Sequence, residues 1–315
     1  MLTLDEALGR LLSSIRPLAE TEEVSTFDAL GRVLAAAVSS ALDVPPAANT
    51  SMDGYALRCA DVPAEGVLLP VSQRIPAGVV GLPLEPGTAA RIFTGAQVPA
   101  GADAVVMQEQ CESAGDAVRV NVVPQLGQWI RRRGEDVQHG AEVLPAGTRL
   151  TPQALGLAAS VGAGRLTVAR RPRVALFSTG DELVMPGQPL KPGAIYNSNR
   201  FTLRGMIQAL GCDCNDLGIV PDRLDATRAA LREAAQGNDL IVTSGGVSVG
   251  EEDHLRPAVQ AEGRIDLWQI AMKPGKPLAF GEVRRADGSN ACFMGLPGNP
   301  VSSFLTFALA VRPVL

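Results

Sequence analysis

The stretch that decides the fold is Asp239-Leu240-Ile241-Val242-Thr243-Ser244-Gly245-Gly246-Val247-Ser248-Val249-Gly250-Glu251-Glu252-Asp253. Its apolar beginning, Leu240 to Thr243, is typical of a buried strand. The strand leads into a loop with three glycines and two serines, and three carboxylates then begin a helix. In a parallel α/β sheet, ligands bind beyond the carboxyl ends of the strands, so this loop is a candidate binding site.

Glycines in such a loop let the backbone approach a phosphate closely, and the N–H groups at the start of the next helix point at the anion. Carboxylates repel a phosphate, so we expect a divalent cation between the two, and oxygen-rich sites suit Mg²⁺. Taken alone, the loop also fits a glycine-rich turn that only packs. A nucleophile elbow at Ser248 is disfavoured because His139 precedes it and His254 follows only six residues later.

Composition bounds the class of protein. A chain of 315 residues predicts about two domains, and the net charge of −5 argues against general nucleic-acid binding and against a basic membrane-binding surface. The sequence contains no apolar stretch of the roughly 18 residues that a transmembrane helix needs. Asp5, Glu6 and Arg10 interrupt any signal-peptide core, and the five cysteines are scattered without a C-x-x-C motif. We therefore expect a cytoplasmic protein.

The chain divides into an N-terminal region, residues 1–171, and an α/β region, residues 172–315. Helical signals at 1–41 and 139–171 flank short apolar runs separated by Pro-Gly and Ala-Gly turns. These runs predict a small β domain, inserted at about 42–138 between helical pieces that pack together.

Local signals predict the principal elements. Thr3-Leu4-Asp5-Glu6 is a capping box that begins a first helix, and a second short helix is predicted from Phe27 to Leu34. Strands and helices alternate beyond residue 172, which indicates a mostly parallel sheet covered on both faces. Ala286 to Ser289 predicts a hairpin turn, and Asn299-Pro300 caps a last helix.

Four strand-end loops of the α/β region are expected to meet at one edge of the sheet. They are Ser178 to Glu182, Ser244 to Asp253, Met272 to Pro277, and Gly295 to Pro300. Lys273 and Lys276 are candidate phosphate donors, and Glu182 and Asp253 supply carboxylates for a cation. A P-loop is excluded because Pro277 follows Lys276 where Ser or Thr is required.

Seven motifs together resemble those of the molybdopterin molybdenumtransferase family, which is related to the E domain of gephyrin. They are Ser51 to Ala56, Thr94 to Ala96, Arg131 to Asp136, Phe177 to Leu183, Ser244 to Asp253, Lys273 to Pro277, and Leu296 to Ser302. The resemblance implies binding of adenylylated molybdopterin and molybdate. It also implies cleavage of the adenylate, insertion of molybdenum between the dithiolene sulfurs and release of AMP.

The resemblance also implies which residues act. The catalytic positions are Asp53, Asp136, Glu182 and Asp253, of which Glu182 and Asp253 would hold Mg²⁺. The substrate-binding positions are Thr94, Thr179, Gly180, Asp222, Ser244, Gly245, Gly246, Ser248, Lys273, Lys276, Pro297, Gly298, Asn299 and Pro300.

The family is an elongated homodimer, so the resemblance implies that first-half residues reach the cleft of the other subunit. It also implies contact with the molybdopterin adenylyltransferase. The chain departs from the family pattern at its end, where we expect the C-terminal β-barrel domain to be absent.

Alternative interpretations remain open for the function and for two of the motifs. The α/β region alone also resembles a molybdopterin adenylyltransferase, and a gephyrin-like scaffold needs no chemistry. Asp53 in isolation fits an Asp-Gly turn, and Arg131 to Arg133 fits a solvated face.

Overall fold

The computed structural model describes residues 2–246, 254–274 and 277–315. The chain forms two compact units. The α/β unit contains Met1–Thr21 and Ala169–Leu315, and the β unit contains Glu22–Val168. The first residues therefore group with the α/β unit, whereas the sequence analysis placed them with the helical pieces of the N-terminal region.

The main helices are α1 Leu4–Ser14, α2 Pro152–Ser160, α3 Ser198–Ala209, α4 Leu224–Ala235, α5 Leu255–Glu262 and α6 Pro300–Thr306. Four of these helices, α1, α2, α3 and α6, begin with a side-chain N-cap. A π-helical turn, Phe307–Val311, and a short helix, Arg312–Val314, continue α6, and 3₁₀ turns lie at Thr26–Asp28, Cys59–Asp61 and Gln108–Gln110. The capping box predicted for α1 and the Asn299 cap predicted for α6 are confirmed. Within the described ranges, no helix is long and apolar enough to cross a membrane.

The β unit consists mainly of short strands. They are β1 Thr21–Ser25, β2 Val38–Ser39, β3 Asn49–Thr50, β4 Gly54–Leu57, β5 Val67–Ile75, β6 Ala89–Ile92, β7 Ala104–Met107, β8 Cys111–Ala114, β9 Ala117–Val120, β10 Ile130–Arg131, β11 Glu142–Leu144 and β12 Arg165–Ala169. Six of them form one sheet in the order β7-β4-β6-β5-β9-β8, in which only β5 and β6 are parallel neighbours. Three two-stranded sheets pair β1 with β12, β10 with β3, and β11 with β2.

The predicted helix from Phe27 to Leu34 is wrong beyond its first turn. The structure has only a 3₁₀ turn, Thr26–Asp28, and Phe27 and Leu30 are 92% and 57% exposed. Gly31 has φ +75°, which ends the turn, and its N–H donates to the carbonyl of Leu150. Backbone pairing with a distant segment therefore replaces helical hydrogen bonds here.

The α/β unit is built on one large sheet. Its strands are β13 Arg173–Thr179, β14 Leu183–Val184, β15 Ile195–Tyr196, β16 Asp213–Val220, β17 Leu240–Ser244, β18 Gly263–Gln269, β19 Pro277–Arg284 and β20 Asn290–Leu296. The order is β16-β13-β17-β20-β19-β18, and β14 pairs with β15 outside this sheet. The first four strands are parallel, whereas β19 and β18 run antiparallel to their neighbours.

The sheet is therefore mixed, and the expectation of a mostly parallel sheet needs correction. The predicted hairpin between β19 and β20 is confirmed. Short connections join β18, β19 and β20, and a parallel crossover needs a dozen or more residues. Chain length alone thus imposes antiparallel pairing on this half of the sheet.

Alternating side chains of the central strands bury both faces of the sheet. Leu176 and Val242 belong to one apolar core, together with residues of α1, α3 and the end of the chain. Phe177 and Ile241 belong to the opposite core, together with α4 and α5. Helix α1 contributes Ala7 and Leu11 to the first of these cores, which explains why the first residues belong to the α/β unit.

Candidate functional site

The parallel strands of the α/β unit end at the same level. Ser178 of β13 pairs with Ser244 of β17, and Ser244 pairs with Leu296 of β20. On the other side of β13, Thr179 pairs with Val220 at the end of β16. The connections that follow these four strands therefore leave the sheet at one edge, where ligands bind in folds of this kind.

The connection between β18 and β19 lies at the same edge. Gln269 at the end of β18 pairs with Pro277 at the start of β19. Lys273, in this connection, is exposed and can offer its ammonium group to an anion at the edge. Lys276 was predicted as a second phosphate donor and lies outside the described residues.

Gly245 is the point where three of these connections meet. Its N–H donates to the carbonyl of Leu296 at 3.0 Å, and its backbone has φ +95°, a conformation that residues with a side chain rarely adopt. A Cβ at this position would lie 2.8 Å from the carbonyl oxygen of Thr179. The Cα of Gly245 also lies 3.8 Å from the position of a Cβ at Gly298. Only glycine fits here, because backbone surrounds the residue closely.

Asn199 ties two of the connections together, and the sequence analysis missed it. Its side chain is buried, and Nδ2 donates to Ser244 Oγ and to the carbonyl of Gly298, both at 2.8 Å. Ser244 is only 3% exposed, so its hydroxyl stabilises the loop from the buried side. An asparagine in the first turn of α3 is the only sequence signal for this role, since asparagine is a modest helix former.

The turns that follow β13 and β16 carry acidic residues. The N–H of Asp222 donates to Asp181 Oδ1 at 3.1 Å, which joins the two turns. Glu182 is exposed, and within the described part of the chain its carboxylate accepts no hydrogen bond and forms no ion pair. Its carboxylate lies against Gly180, which has φ +143°. Glu182 is thus available for a cation or a ligand, whereas Asp253 and Ser248 lie outside the described residues.

A cavity of about 750 Å³ opens beside Glu182. Its lining consists of Asp181, Glu182, Val184, Gln188, Pro189, Lys191, Pro192, Gly193 and Ala194. The chain has few lysines, and one of them, Lys191, lies in this lining together with the carboxylates of Asp181 and Glu182. The cavity therefore offers both signs of charge next to the strand ends.

The remaining predicted residues of the edge lie at the start of α6. Pro297 is buried, while Gly298, Asn299 and Pro300 are exposed. The side chain of Asn299 accepts the N–H of Ser302 at 3.0 Å and so caps the helix. Gly246 has φ +67° and follows Gly245 at the same edge.

Two predicted residues of the β unit contact each other across 41 positions of sequence. Asp53 Oδ1 accepts hydrogen bonds from Thr94 Oγ1 and from the Thr94 N–H, both at 2.7 Å. These bonds, with a smaller contribution from the Arg91 guanidinium, hold the pKa of Asp53 below its ordinary value. Asp53 is thus a fixed anion, and among the described residues its Oδ2 accepts no hydrogen bond.

Asp136, also in the β unit, forms an ion pair. Arg131 Nη2 donates to both carboxylate oxygens of Asp136 at 2.5 Å, and Arg131 Nε donates to Glu135 at 3.2 Å. Hydrogen bonds to Asp136 and Glu135 raise the pKa of Arg131. Arg133 pairs with Asp43 at 2.6 Å. Arg131 and Arg133 therefore organise the turn, in addition to facing solvent.

The predicted site residues thus form two groups. The strand-end edge of the α/β unit brings together Thr179, Gly180, Glu182, Asp222, Ser244, Gly245, Gly246, Lys273, Pro297, Gly298, Asn299 and Pro300. The β unit holds Asp53 with Thr94, and separately Asp136.

Two family models match the chain over most of its length. Residues 2–162 match the MoeA N-terminal region (domain I and II). Residues 175–315 match a probable molybdopterin binding domain.

Curated relatives and solved structures agree with these matches. The chain is 42% identical to the molybdopterin molybdenumtransferase of Haemophilus influenzae, over 100% of this chain and 77% of that protein. It is 36% identical to the enzyme of the same name from Bacillus subtilis, over 99% of this chain and 73% of that protein. A molybdopterin biosynthesis MoeA protein from Pyrococcus horikoshii is similar in structure, with a TM-score of 0.85 and 30% identity, over 100% of this chain and 78% of that chain.

The close approach at Gly245 predicts an unusual cost for a methyl group. Gly237 provides a matched control, since it has φ +73° but no heavy atom within 4 Å of its Cβ position. Both alanine substitutions strain a left-handed backbone, but only Gly245→Ala pushes against the carbonyl of Thr179. We expect Gly245→Ala to lower the free energy of unfolding by about 1–3 kcal/mol more than Gly237→Ala. Urea unfolding measures both, and equal losses would show that the close approach costs nothing.

Proposed function

The chain belongs to the molybdopterin molybdenumtransferase family, and from that premise we propose that it inserts molybdenum from molybdate into adenylylated molybdopterin and releases AMP. The observation that carries the proposal is the convergence of the strand-end connections at the edge around Gly245. A pyrophosphate-linked pterin needs backbone amides and cationic side chains, and this edge supplies both.

The strand-end residues would form the substrate cradle. The glycine-rich connection would offer the N–H of Gly246 to the phosphates, continuing through Ser248, while Gly245 keeps the backbone close to the neighbouring connections. Lys273 and Lys276 would bind phosphate or molybdate oxygens. The proposed substrate contacts also include Thr179, Gly180, Asp222, Ser244, Pro297, Gly298, Asn299, Pro300 and, from the β unit, Thr94.

Glu182 and Asp253 would hold Mg²⁺. Carboxylate oxygens are the ligands that Mg²⁺ prefers, and the carboxylate of Glu182, which is exposed and has no partner among the described residues, suits this role. A bound cation would neutralise negative charge as the phosphoanhydride bond breaks. The chain's own contribution is to present Glu182 at the surface, where its carboxylate forms no ion pair with any described residue.

Asp53, Thr94 and Asp136 would act in the same reaction within a homodimer. We propose that these residues contribute to the substrate cradle of the other subunit. The adenylylated substrate must come from an adenylyl-transfer reaction on molybdopterin, so contact with the molybdopterin adenylyltransferase would deliver it directly. The basis for these three statements is the family resemblance.

The function is tested by measuring AMP release from adenylylated molybdopterin, with and without molybdate and Mg²⁺. We expect release that depends on the protein, and molybdenum recovered on the pterin. Consumption of ATP with unmodified molybdopterin would instead indicate an adenylyltransferase. Absence of turnover with both substrates would favour a scaffold.

The same assay tests Glu182. We expect Glu182→Gln to lower the rate by about 10- to 100-fold and to raise the Mg²⁺ concentration that gives half-maximal rate, because a metal ligand is lost. Glu233→Gln is the control, since Glu233 is an exposed carboxylate on α4. An unchanged Mg²⁺ dependence in Glu182→Gln would remove Glu182 from the metal site.

Asn199 supports the proposed cradle from a buried position. Asn199→Ala leaves the carbonyl of Gly298 and the hydroxyl of Ser244 without their buried donor, which costs about 1–3 kcal/mol of stability. Asn238 is a matched control at the opposite end of β17, buried and donating Nδ2 to the carbonyls of Ala234 and Gln236. Both alanine variants should lose stability in thermal unfolding, but only Asn199→Ala should weaken binding of adenylylated molybdopterin. Equal binding by the two variants would contradict the role of Asn199.

The proposed homodimer with shared sites predicts complementation between two variants of low activity. Asp53→Asn and Glu182→Gln, refolded together from an equal mixture, would form heterodimers in which one of the two clefts is intact. Random pairing then restores about a quarter of the unmodified activity. Asp53→Asn mixed with itself is the control. No recovery in verified heterodimers would show that each cleft uses residues of a single chain.

A further inference from the structure

Arg91 lies in an alternating stack of cationic and aromatic side chains on the six-stranded sheet of the β unit. It pairs with Tyr55 on β4 and with Arg74 on β5. The guanidinium carbon of Arg91 lies 5.1 Å from the ring centroid of Tyr55 and 4.6 Å from that of Phe93. The guanidinium carbon of Arg74 lies 4.5 Å from the Phe93 centroid. Two aromatic rings thus restrain the Arg91 guanidinium through cation–π contacts.

The restrained guanidinium of Arg91 donates hydrogen bonds to two residues that adjoin the backbone of Asp53. Its Nη1 donates to the carbonyl of Gly54 at 2.9 Å, and its Nη2 donates to Gln108 Oε1 at 2.5 Å. Gly54 follows Asp53 in the chain, and the N–H of Gln108 donates to the carbonyl of Asp53 at 3.0 Å. Arg91 therefore fixes both the chain neighbour and the backbone hydrogen-bond partner of Asp53.

The backbone beside Asp53 is closely packed. A Cβ at Gly54 would overlap the carbonyl oxygen of Val106 on β7, so β4 and β7 approach each other here without an intervening side chain. The Asp53 carboxylate is restrained in addition by Thr94. Asp53 is therefore held by several contacts at once. The two hydrogen bonds of Arg91 are among the contacts that set its position, so their loss would displace Asp53.

We propose that Arg91 is a positioning residue for the molybdenum transfer reaction, which acts by fixing Asp53 through Gly54 and Gln108. The inference rests on the proposed function, in which Asp53 takes part in the reaction. Arg91 itself need not touch the substrate. Its positive charge also lowers the pKa of Asp53, which agrees with a role in keeping that carboxylate ionised.

The variants for the test are Arg91→Met and Arg74→Met. Both remove a guanidinium that stacks on Phe93, but within the described residues only Arg91 also bonds Gly54 and Gln108. We expect Arg91→Met to lower kcat and kcat/KM together by about 10- to 100-fold with KM nearly unchanged, since a misplaced catalytic group affects the transition state. Arg74→Met should stay within about twofold of the unmodified protein. Equal activities of the two variants would overturn the inference.

A double-mutant comparison separates positioning from general destabilisation. If Arg91 acts through Asp53, adding Arg91→Met to Asp53→Asn should cause no further loss of rate. An additional loss of similar size in the double variant would show that Arg91 acts independently of Asp53. Gln108→Leu removes one hydrogen-bond acceptor of Arg91 at an exposed position. It should lower the rate in the same way but by less than Arg91→Met. It replaces Arg91→Met in the test if that variant fails to fold.

Amide hydrogen exchange tests the inference without turnover. Arg91→Met should speed exchange of the Gln108 and Thr94 amides, which donate to Asp53, and Arg74→Met should not. Unchanged exchange would overturn the inference even if the proposed function were wrong. A rate of AMP release that is zero in the unmodified protein would instead refute the proposed function alone.

Discussion

The candidate site depends on a single geometric constraint, the close backbone approach at Gly245. Strands β13, β17 and β20 end in register, so their connections would collide unless one of them lacked a side chain. Gly245 meets this requirement, since a Cβ would lie only 2.8 Å from the carbonyl oxygen of Thr179, and its N–H donates to the carbonyl of Leu296. Because backbone and not side chains forms this junction, its geometry does not depend on side-chain rotamers.

In both units, a supporting side chain stabilises a residue that the sequence predicts to belong to the site. In the α/β unit, Asn199 bonds Ser244 and Gly298 from a buried position. In the β unit, Arg91 bonds Gly54 and Gln108, which in turn control Asp53. Each bond bridges segments that are distant in sequence, so a single side chain sets the relative placement of two loops. Precise placement of loop residues requires such support, since loops are otherwise the most variable parts of a fold.

Local patterns in the sequence predicted much of this structure, and non-local pairings account for what they missed. The apolar run from Leu240, the caps of α1 and α6 and the hairpin after β19 are local signals, and each is found. The partner of α1 was not predictable, because helical periodicity marks the buried face that contains Leu11 but not the element it meets. The supporting roles of Asn199 and Arg91 were not predicted for the same reason, since their hydrogen bonds join segments up to 99 positions apart. A resemblance to a family supplies motif residues, but the residues that support them carry no motif.

The surroundings of the carboxylates argue for different roles among the predicted catalytic residues. Donors from Thr94 hold one oxygen of Asp53, and Arg131 binds both oxygens of Asp136, so much of their negative charge is already compensated. A compensated carboxylate gains less from binding a cation, because the cation must compete with existing donors. Glu182 has no such partner among the described residues and lies beside a cavity. This physical distinction supports the proposal that Glu182, and not Asp53 or Asp136, binds the cation, and that Asp53 and Asp136 orient a substrate or accept a hydrogen bond.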